Sequence, residues 1–193
     1  MLRVGPYEFR FAETAADFDR VHRLNYDTFV REIPQHADPG TGILIDKFHA
    51  KNRYLIAERD GGLVGMLAAH DAPPFSIADR LPDPGILTAP GVRVVEIRLL
   101  SVVPAERHSP VMAGLVWALY QHAVASGYTH YAISGVAERQ PLYERMGFEP
   151  LGPAVGTGRA AFIPMWVRLD RLREVLGRGI ALWERRLRRK DEG

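Results

Sequence analysis

The chain has no cysteine among its 193 residues. That excludes a disulfide framework, a zinc ribbon and a cysteine nucleophile. Long apolar runs are missing too. None approaches the ~18 residues of a membrane span, and the opening Met1-Leu2-Arg3-Val4-Gly5-Pro6 lacks the apolar stretch of a signal peptide. A soluble cytoplasmic protein is therefore expected. Neither sign of charge dominates, with 25 Lys and Arg against 23 Asp and Glu for a net charge of +2. Residues 171–193 hold 8 of those bases and 4 of those acids, which leaves 17 and 19, a balance of −2, for residues 1–170. The basic character sits in one terminal segment, so no nucleic-acid surface is expected. The seven histidines (His22, His36, His49, His70, His108, His122 and His130) include no His-x-x-x-His pair, and no metal site is expected.

What is present fits one domain over residues 1–170, with a basic helical extension over 171–193. A chain of this length buries roughly two thirds of its unfolded surface and needs no covalent staple. Residues 7–13 alternate Tyr7, Phe9 and Phe11 with Glu8 and Arg10, as a half-buried strand does. Thr14 is placed to cap a helix carrying Phe18, Val21, Leu24, Tyr26, Phe29 and Val30, ended by Pro34. Residues 53–58 and 63–69 form two apolar runs joined by Arg59-Asp60-Gly61-Gly62, a hairpin turn signal. Residues 71–91 hold Pro73, Pro74, Pro82, Pro84 and Pro90 and read as an excursion with a short helical turn over 75–81. The most β-rich run spans 92–103, stopped by Pro104. Pro110 then opens a helix over 111–125, closed by Gly127. A strand over 128–134, a helix over 140–146 ended by Gly147 and a strand over 160–169 complete a mixed α/β order.

Three features lie in succession. Val95-Glu96-Ile97-Arg98-Leu99-Leu100-Ser101-Val102 places a carboxylate inside an apolar strand. Val103-Pro104-Ala105-Glu106-Arg107 leads into a helix start. Further on stands Tyr143-Glu144-Arg145-Met146-Gly147-Phe148. This order resembles the GNAT superfamily of N-acyltransferases over roughly residues 92–150. The resemblance implies a GNAT-type mixed sheet of about seven strands flanked by helices. It also implies transfer of an acyl group from acyl-CoA or acyl-phosphopantetheine, as co-substrate, to an amine. In that family a strand carboxylate accepts the amine proton, which implies Glu96 as base, and the motif tyrosine protonates the leaving thiolate, which implies Tyr143 as acid. The donor would lie along Leu100, Val102, Val103, Arg107, His108, Ser109, Val111, Met112 and Ala113. A backbone N–H near Val102 or Val103 would polarise its carbonyl, and the helix start would hold phosphate. The competing structural readings pair Glu96 with Arg98 or Arg93 and treat Tyr143 as a packing aromatic.

The glycine-rich phosphate loop of the superfamily is altered. Pro110 and Met112 stand at its glycine positions, and proline removes an amide donor. Arg107, His108 and Ser109 still suit a single phosphate, such as that on a carrier protein. Leu24-Asn25-Tyr26-Asp27-Thr28-Phe29-Val30-Arg31-Glu32 and Asp46-Lys47-Phe48-His49 are similar to segments of acyl-homoserine lactone synthases and long-chain N-acyl amino acid synthases. That branch implies Phe29, Asp46 and Arg98 at the acceptor, and acyl carrier protein as a donor partner. Asn25, His49, Ala68 and Leu99 replace the residues lactone synthesis uses. The expected acceptor is therefore another amine: an amino acid, a polyamine or a peptide side chain. A GNAT-like module that binds a thioester or a protein without turnover is the alternative reading.

Three segments carry blander readings. Residues 152–158 form a glycine-rich loop, and Met66, Met112, Met146 and Met165 are core filler rather than an acyl channel. Leu172, Val175, Leu176, Ile180, Trp183 and Leu187 recur at helical spacing among arginines. They read as a docked helix, or as a basic face for an acidic carrier protein or an anionic membrane.

Overall fold

The computed structural model describes residues 1–156, 161–175, 177 and 185. By its internal contacts the chain divides into two compact units, Met1–His70 with Arg98–Leu119, and Asp71–Ile97 with Tyr120–Gly193. The division runs through a strand and a helix and does not fall at residue 170, where the composition changes.

In the first unit, strands β1 (Leu2–Val4) and β2 (Tyr7–Phe11) form a hairpin, with Leu2 opposite Phe9 and Val4 opposite Tyr7. Helix α1 (Ala15–Tyr26) follows, and its start is set locally. The Asp17 amide donates to Thr14 Oγ1 at 3.1 Å, and the Thr14 amide donates to the Asp17 carboxylate at 3.2 Å, a reciprocal cap. The helix was expected to run on to Val30. Instead Asp27–Glu32 is π-helical, with the Ile33 amide donating to the Thr28 carbonyl at 2.8 Å. The wider turn places the Thr28 hydroxyl in a hydrogen bond with that of Ser101, and such insertions recur at functional sites.

Strands β3 (Arg53–Arg59) and β4 (Gly62–His70) pair antiparallel, and β3 also pairs with β2. Asp60 and Gly61 have φ of 52° and 76°, the left-handed pair that a tight hairpin requires. Val21 and Leu24 of α1 close over Tyr54, Ile56, Met66 and Ala68. Burying each large apolar side chain there stabilises by about 1.5–3 kcal/mol. The last strand of this unit is the part of β5 (Val94–Val102) from Arg98 onward. Helix α2 (Val111–Ala125) contributes its residues up to Leu119. Its Gly114 lies so close to the Phe9 ring that no Cβ fits there. Gly65 on β4 likewise gives room to Val111, whose Cγ1 lies 2.7 Å from where a Cβ would be.

In the second unit, Val94–Ile97 of β5 run parallel to β6 (His130–Val136), with Glu96 opposite Ala132. Short helix α3 (Gln140–Arg145) ends at Gly147, φ 90°. Strand β7 (Glu149–Pro150) pairs with β8 (Phe162–Arg168), which pairs antiparallel with β6, so the order is β5-β6-β8-β7. The chain is helical again over 169–175, with Leu172 buried. The rest of the expected terminal helix, and residues 157–160 of the glycine-rich loop, lie outside the described residues. The proline-rich excursion builds a small core of its own. Phe75, Ile77, Leu81 and Leu87 pack on Val94 and Ala132. The fold is thus mixed α/β, as expected, with eight strands among the described residues where about seven were expected.

Candidate active site

In the second unit Glu96 is fully buried on β5. Its two carboxylate oxygens accept from the two donors of Ser76: the backbone N–H at 2.7 Å, and the hydroxyl. Ser76 comes from the proline-rich excursion, so that segment fixes the carboxylate's orientation. Sequence reasoning missed Ser76 because nothing local links it to a strand 20 residues on. The arginines weighed as partners for Glu96 have other contacts. Arg98 donates to Asp46, and Arg93 donates to the carbonyls of Ser126 and Gly127 at 2.8 and 3.1 Å. Tyr143 is half-buried on α3. Its ring lies against β6 at Gly135, where an added Cβ would sit 2.8 Å from Tyr143 Cε2. Phe148 meets the same ring edge-on at 6.3 Å. Among the described residues the Tyr143 hydroxyl makes no hydrogen bond. It is held by packing, with its polar end uncommitted.

In the first unit Asp46 and Arg98 form a nearly buried pair, their side chains 6% and 17% exposed. Arg98 Nη2 donates to Asp46 Oδ1 at 3.0 Å, and Asn52 Nδ2 donates to Asp46 Oδ2 at 2.6 Å. Burial by itself would raise the Asp46 pKa. The hydrogen bond and charge of Arg98, with the Asn52 amide, outweigh it and hold the carboxyl below its ordinary value. The network continues through Asn52 to the Tyr54 hydroxyl (3.4 Å) and from Tyr54 to His49 Nδ1 (3.1 Å). The His49 ring meets His22 at 4.8 Å. Burial, and then the neighbouring His49, lower the pKa of His22.

A cavity of about 220 Å³ opens beside the pair, lined by Asn25, His36, Leu44, Ile45, Asp46, Lys47, Arg98 and Leu99. Asp46 and Arg98, both expected at the acceptor, are brought together here. Phe29 is not among the lining residues. It is buried in the π-helical stretch, and its carbonyl accepts from the amides of Gln35 and His36 at 3.1 and 3.2 Å, so it holds His36, which does line the cavity. Leu99 has φ of 52°. A non-glycine residue is rarely left-handed in mid-strand, and the turn breaks the ladder there. The β5–β6 pairing accordingly ends at Ile97.

The expected donor segment is only partly available. Leu100 is exposed at the broken part of β5, and Val102 is half-buried. The Val103 amide cannot polarise a thioester carbonyl as expected, because it donates to the Val64 carbonyl at 3.0 Å. Arg107 is held by both oxygens of Glu32 at 2.5 Å, and its Nε donates to the Val102 carbonyl at 3.1 Å. The Ser109 hydroxyl caps α2, accepting from the Val111 amide at 3.2 Å and donating to the Glu106 carbonyl at 2.7 Å. Val111 is also fully buried, so neither its amide nor its side chain is open to a donor. Gly114 donates to the Pro110 carbonyl. Met112 and Ala113, both exposed, supply the remaining first-turn amides, with exposed His108 three residues before the helix. Among the described residues no His, Asp and Glu cluster is placed to hold a metal, and no helix is long and apolar enough to cross a membrane.

The model of the family described as N-acyl amino acid synthase FeeM matches residues 20–166. The chain belongs to this family. It is an acyltransferase, moving an acyl group from a thioester to an amine, and the binding-module alternative is set aside. No curated protein matches. Among solved structures, FeeM from uncultured soil microbes is 16% identical, covering 87% of this chain and 93% of that one with a TM-score of 0.66. MesI, a CoA-dependent acyl-homoserine lactone synthase, is 19% identical, covering 88% and 95% with a TM-score of 0.67. BjaI, another such synthase solved with SAM and isopentyl-CoA, is 19% identical, covering 85% and 82% with a TM-score of 0.66. At these identities the likeness shows the fold, that of GNAT-like acyltransferases.

Proposed function

We propose that this member of the N-acyl amino acid synthase family acylates the amine of an amino acid, with Glu96 as general base and Tyr143 as general acid. The amine nitrogen attacks the thioester carbonyl as its proton passes to Glu96. The tetrahedral intermediate then expels the thiolate, and the C–S bond breaks as the sulfur takes the Tyr143 proton. The net proton transfer runs from amine to thiol, and the products are an N-acyl amino acid and a free thiol. The Val103 amide, which donates to the Val64 carbonyl, is committed within the fold and is left out of this scheme.

The observation that carries the acceptor reading is the first unit's cavity. It sets the cations of Arg98 and Lys47 beside one small space, which suits the carboxylate of an amino acid. A polyamine would need a more acidic lining. For the donor, the two remaining first-turn amides and an Arg107 already bound to Glu32 suit one phosphate better than the pyrophosphate and 3′-phosphate of CoA. The acylated phosphopantetheine of a carrier protein is therefore the favoured donor, and acyl-CoA the weaker one. The purified protein, given decanoyl thioesters of each kind and a mixture of amino acids, should release thiol and N-acyl amino acid in equal amounts, read by thiol titration and mass spectrometry. Thiol release without acylated amino acid, or no turnover with either donor, overturns the reading. A higher kcat/KM for the CoA thioester overturns the donor preference alone.

A further inference from the structure

Asn25 lies on α1, fully buried, and lines the acceptor cavity. Its Nδ2 donates to the Leu44 carbonyl at 3.4 Å, while the Leu44 amide is tied to the His22 carbonyl at 3.0 Å. The loop and helix together fix the amide's orientation, since a flip would set Oδ1 against the Leu44 carbonyl. Oδ1 is left without a hydrogen-bond partner among the described residues. A buried, oriented, unsatisfied acceptor is costly to keep, and beside a cavity it gains a partner once an entering ligand uncovers it and brings a donor.

The neighbours narrow the kind of donor. Asp46 is already satisfied by Arg98 and Asn52. Lys47 is exposed and Asn25 is not, so a carboxylate drawn to Lys47 leaves the rest of the ligand to reach Asn25 past Leu44, Ile45 and Leu99. Arg98 and Lys47 also oppose a second cation. We infer that Asn25 is a specificity residue, selecting amino acids whose substituent ends in a neutral hydrogen-bond donor: a hydroxyl, amide or indole N–H. The inference rests on the cavity being the acceptor site.

The test compares kcat/KM within near-isosteric pairs: threonine and valine, tyrosine and phenylalanine, glutamine and methionine. The wild-type enzyme should prefer the donor-bearing member by about 10-fold or more in the pair it uses best, because the partner without the donor leaves Oδ1 unpaired. Asn25→Leu should abolish or reverse that ratio, while thermal stabilisation by the acyl donor persists and shows that the protein is folded. Asn25→Asp, nearly isosteric, should move the preference toward lysine over methionine. Equal use of both members of every pair by the wild type, or an unchanged ratio in Asn25→Leu or Asn25→Asp, overturns the inference while amino acid acylation stands. Failure to acylate any amino acid refutes the proposed function itself.

Discussion

Replacing Arg98 by Met separates what the Asp46–Arg98 pair does for stability from what it does for the acceptor. The Asp46 side chain is 6% exposed, and Arg98 Nη2 lies 3.0 Å from its Oδ1. Removing one partner of a buried pair costs about 3–5 kcal/mol. Arg98 keeps 17% exposure and Asn52 still donates to Asp46, so we expect about 2–3 kcal/mol at pH 7. The pH dependence distinguishes this cause from lost packing. In the wild type the Asp46 pKa is below its ordinary value. Its contribution is therefore complete above the unfolded carboxyl pKa near 4 and is lost as pH falls through the folded value. In Arg98→Met burial, the largest influence, still raises the pKa against the hydrogen bonds of Asn52 and the Phe48 amide, and the penalty relaxes as Asp46 takes up a proton. Urea unfolding of both proteins between pH 4 and 8 should show the difference in stability shrinking toward pH 4. The double variant Asp46→Leu, Arg98→Met should recover most of the stability at pH 7 but leave the acceptor KM raised at least 10-fold. A pH-independent gap, or a double variant with the wild-type acceptor KM, would refute the reasoning.

Other expectations follow from particular contacts. Gly114→Ala should destabilise by about 1–3 kcal/mol in urea unfolding, because overlap with the buried Phe9 ring exceeds the ~1 kcal/mol alanine gains in a helix; equal or greater stability would show that the contact yields. Asp17 accepts from Arg10 at 2.8 and 2.9 Å and from Arg20 at 2.5 Å, and the Arg10 hydrogen bond, against burial, holds its carboxyl far below the ordinary range. Asp17→Asn should cost about 1–2 kcal/mol at pH 7, since both arginines stay partly exposed. Because the folded pKa is depressed, that gap should narrow as pH falls below about 4, and a gap that widens in acid would contradict it. Tyr143→Phe should lower kcat about 100-fold with thioesters of alkyl thiols and much less with those of acidic thiols, whose leaving groups need no proton. Equal losses with both would assign Tyr143 to packing.

Elements set by a single local cause were legible in the sequence. Thr14 caps α1, Asp60-Gly61 turns the β3–β4 hairpin, and α2 begins and ends at the residues read for it. The three-residue β1 and two-residue β7 are too short to show alternation, and their pairing depends on partners elsewhere in the chain. The π-helical stretch reads as ordinary helix because its apolar spacing is unchanged over one turn; a hydroxyl pair with Ser101, 73 residues on, marks the wider turn. The left-handed Leu99 gave no warning, since leucine rarely adopts that conformation. Within the site, Glu96 stood out as a carboxylate inside an apolar strand, whereas Asp46 and Arg98 came from the resemblance to the synthase branch. Ser76 and Asn25 did not stand out, because a serine in a loop and an asparagine in a helix become notable only when burial fixes their partners, or leaves one missing. Phe29 and Val103 have the right residue type or position but are committed within the fold.

The role of Glu96 is the claim on which the rest depends, and single-turnover acyl transfer by Glu96→Gln tests it most directly. Glutamine keeps the size and still accepts from Ser76 through one oxygen, but it cannot take a proton at neutral pH. The rate of amide formation should fall about 10²–10⁴-fold, thermal stabilisation by the donor should be retained, and the loss should be partly recovered at alkaline pH, where hydroxide can take the proton that the carboxylate accepts. A rate within a few-fold of the wild type, with donor binding intact, would contradict the account and leave Glu96 a buried structural acid.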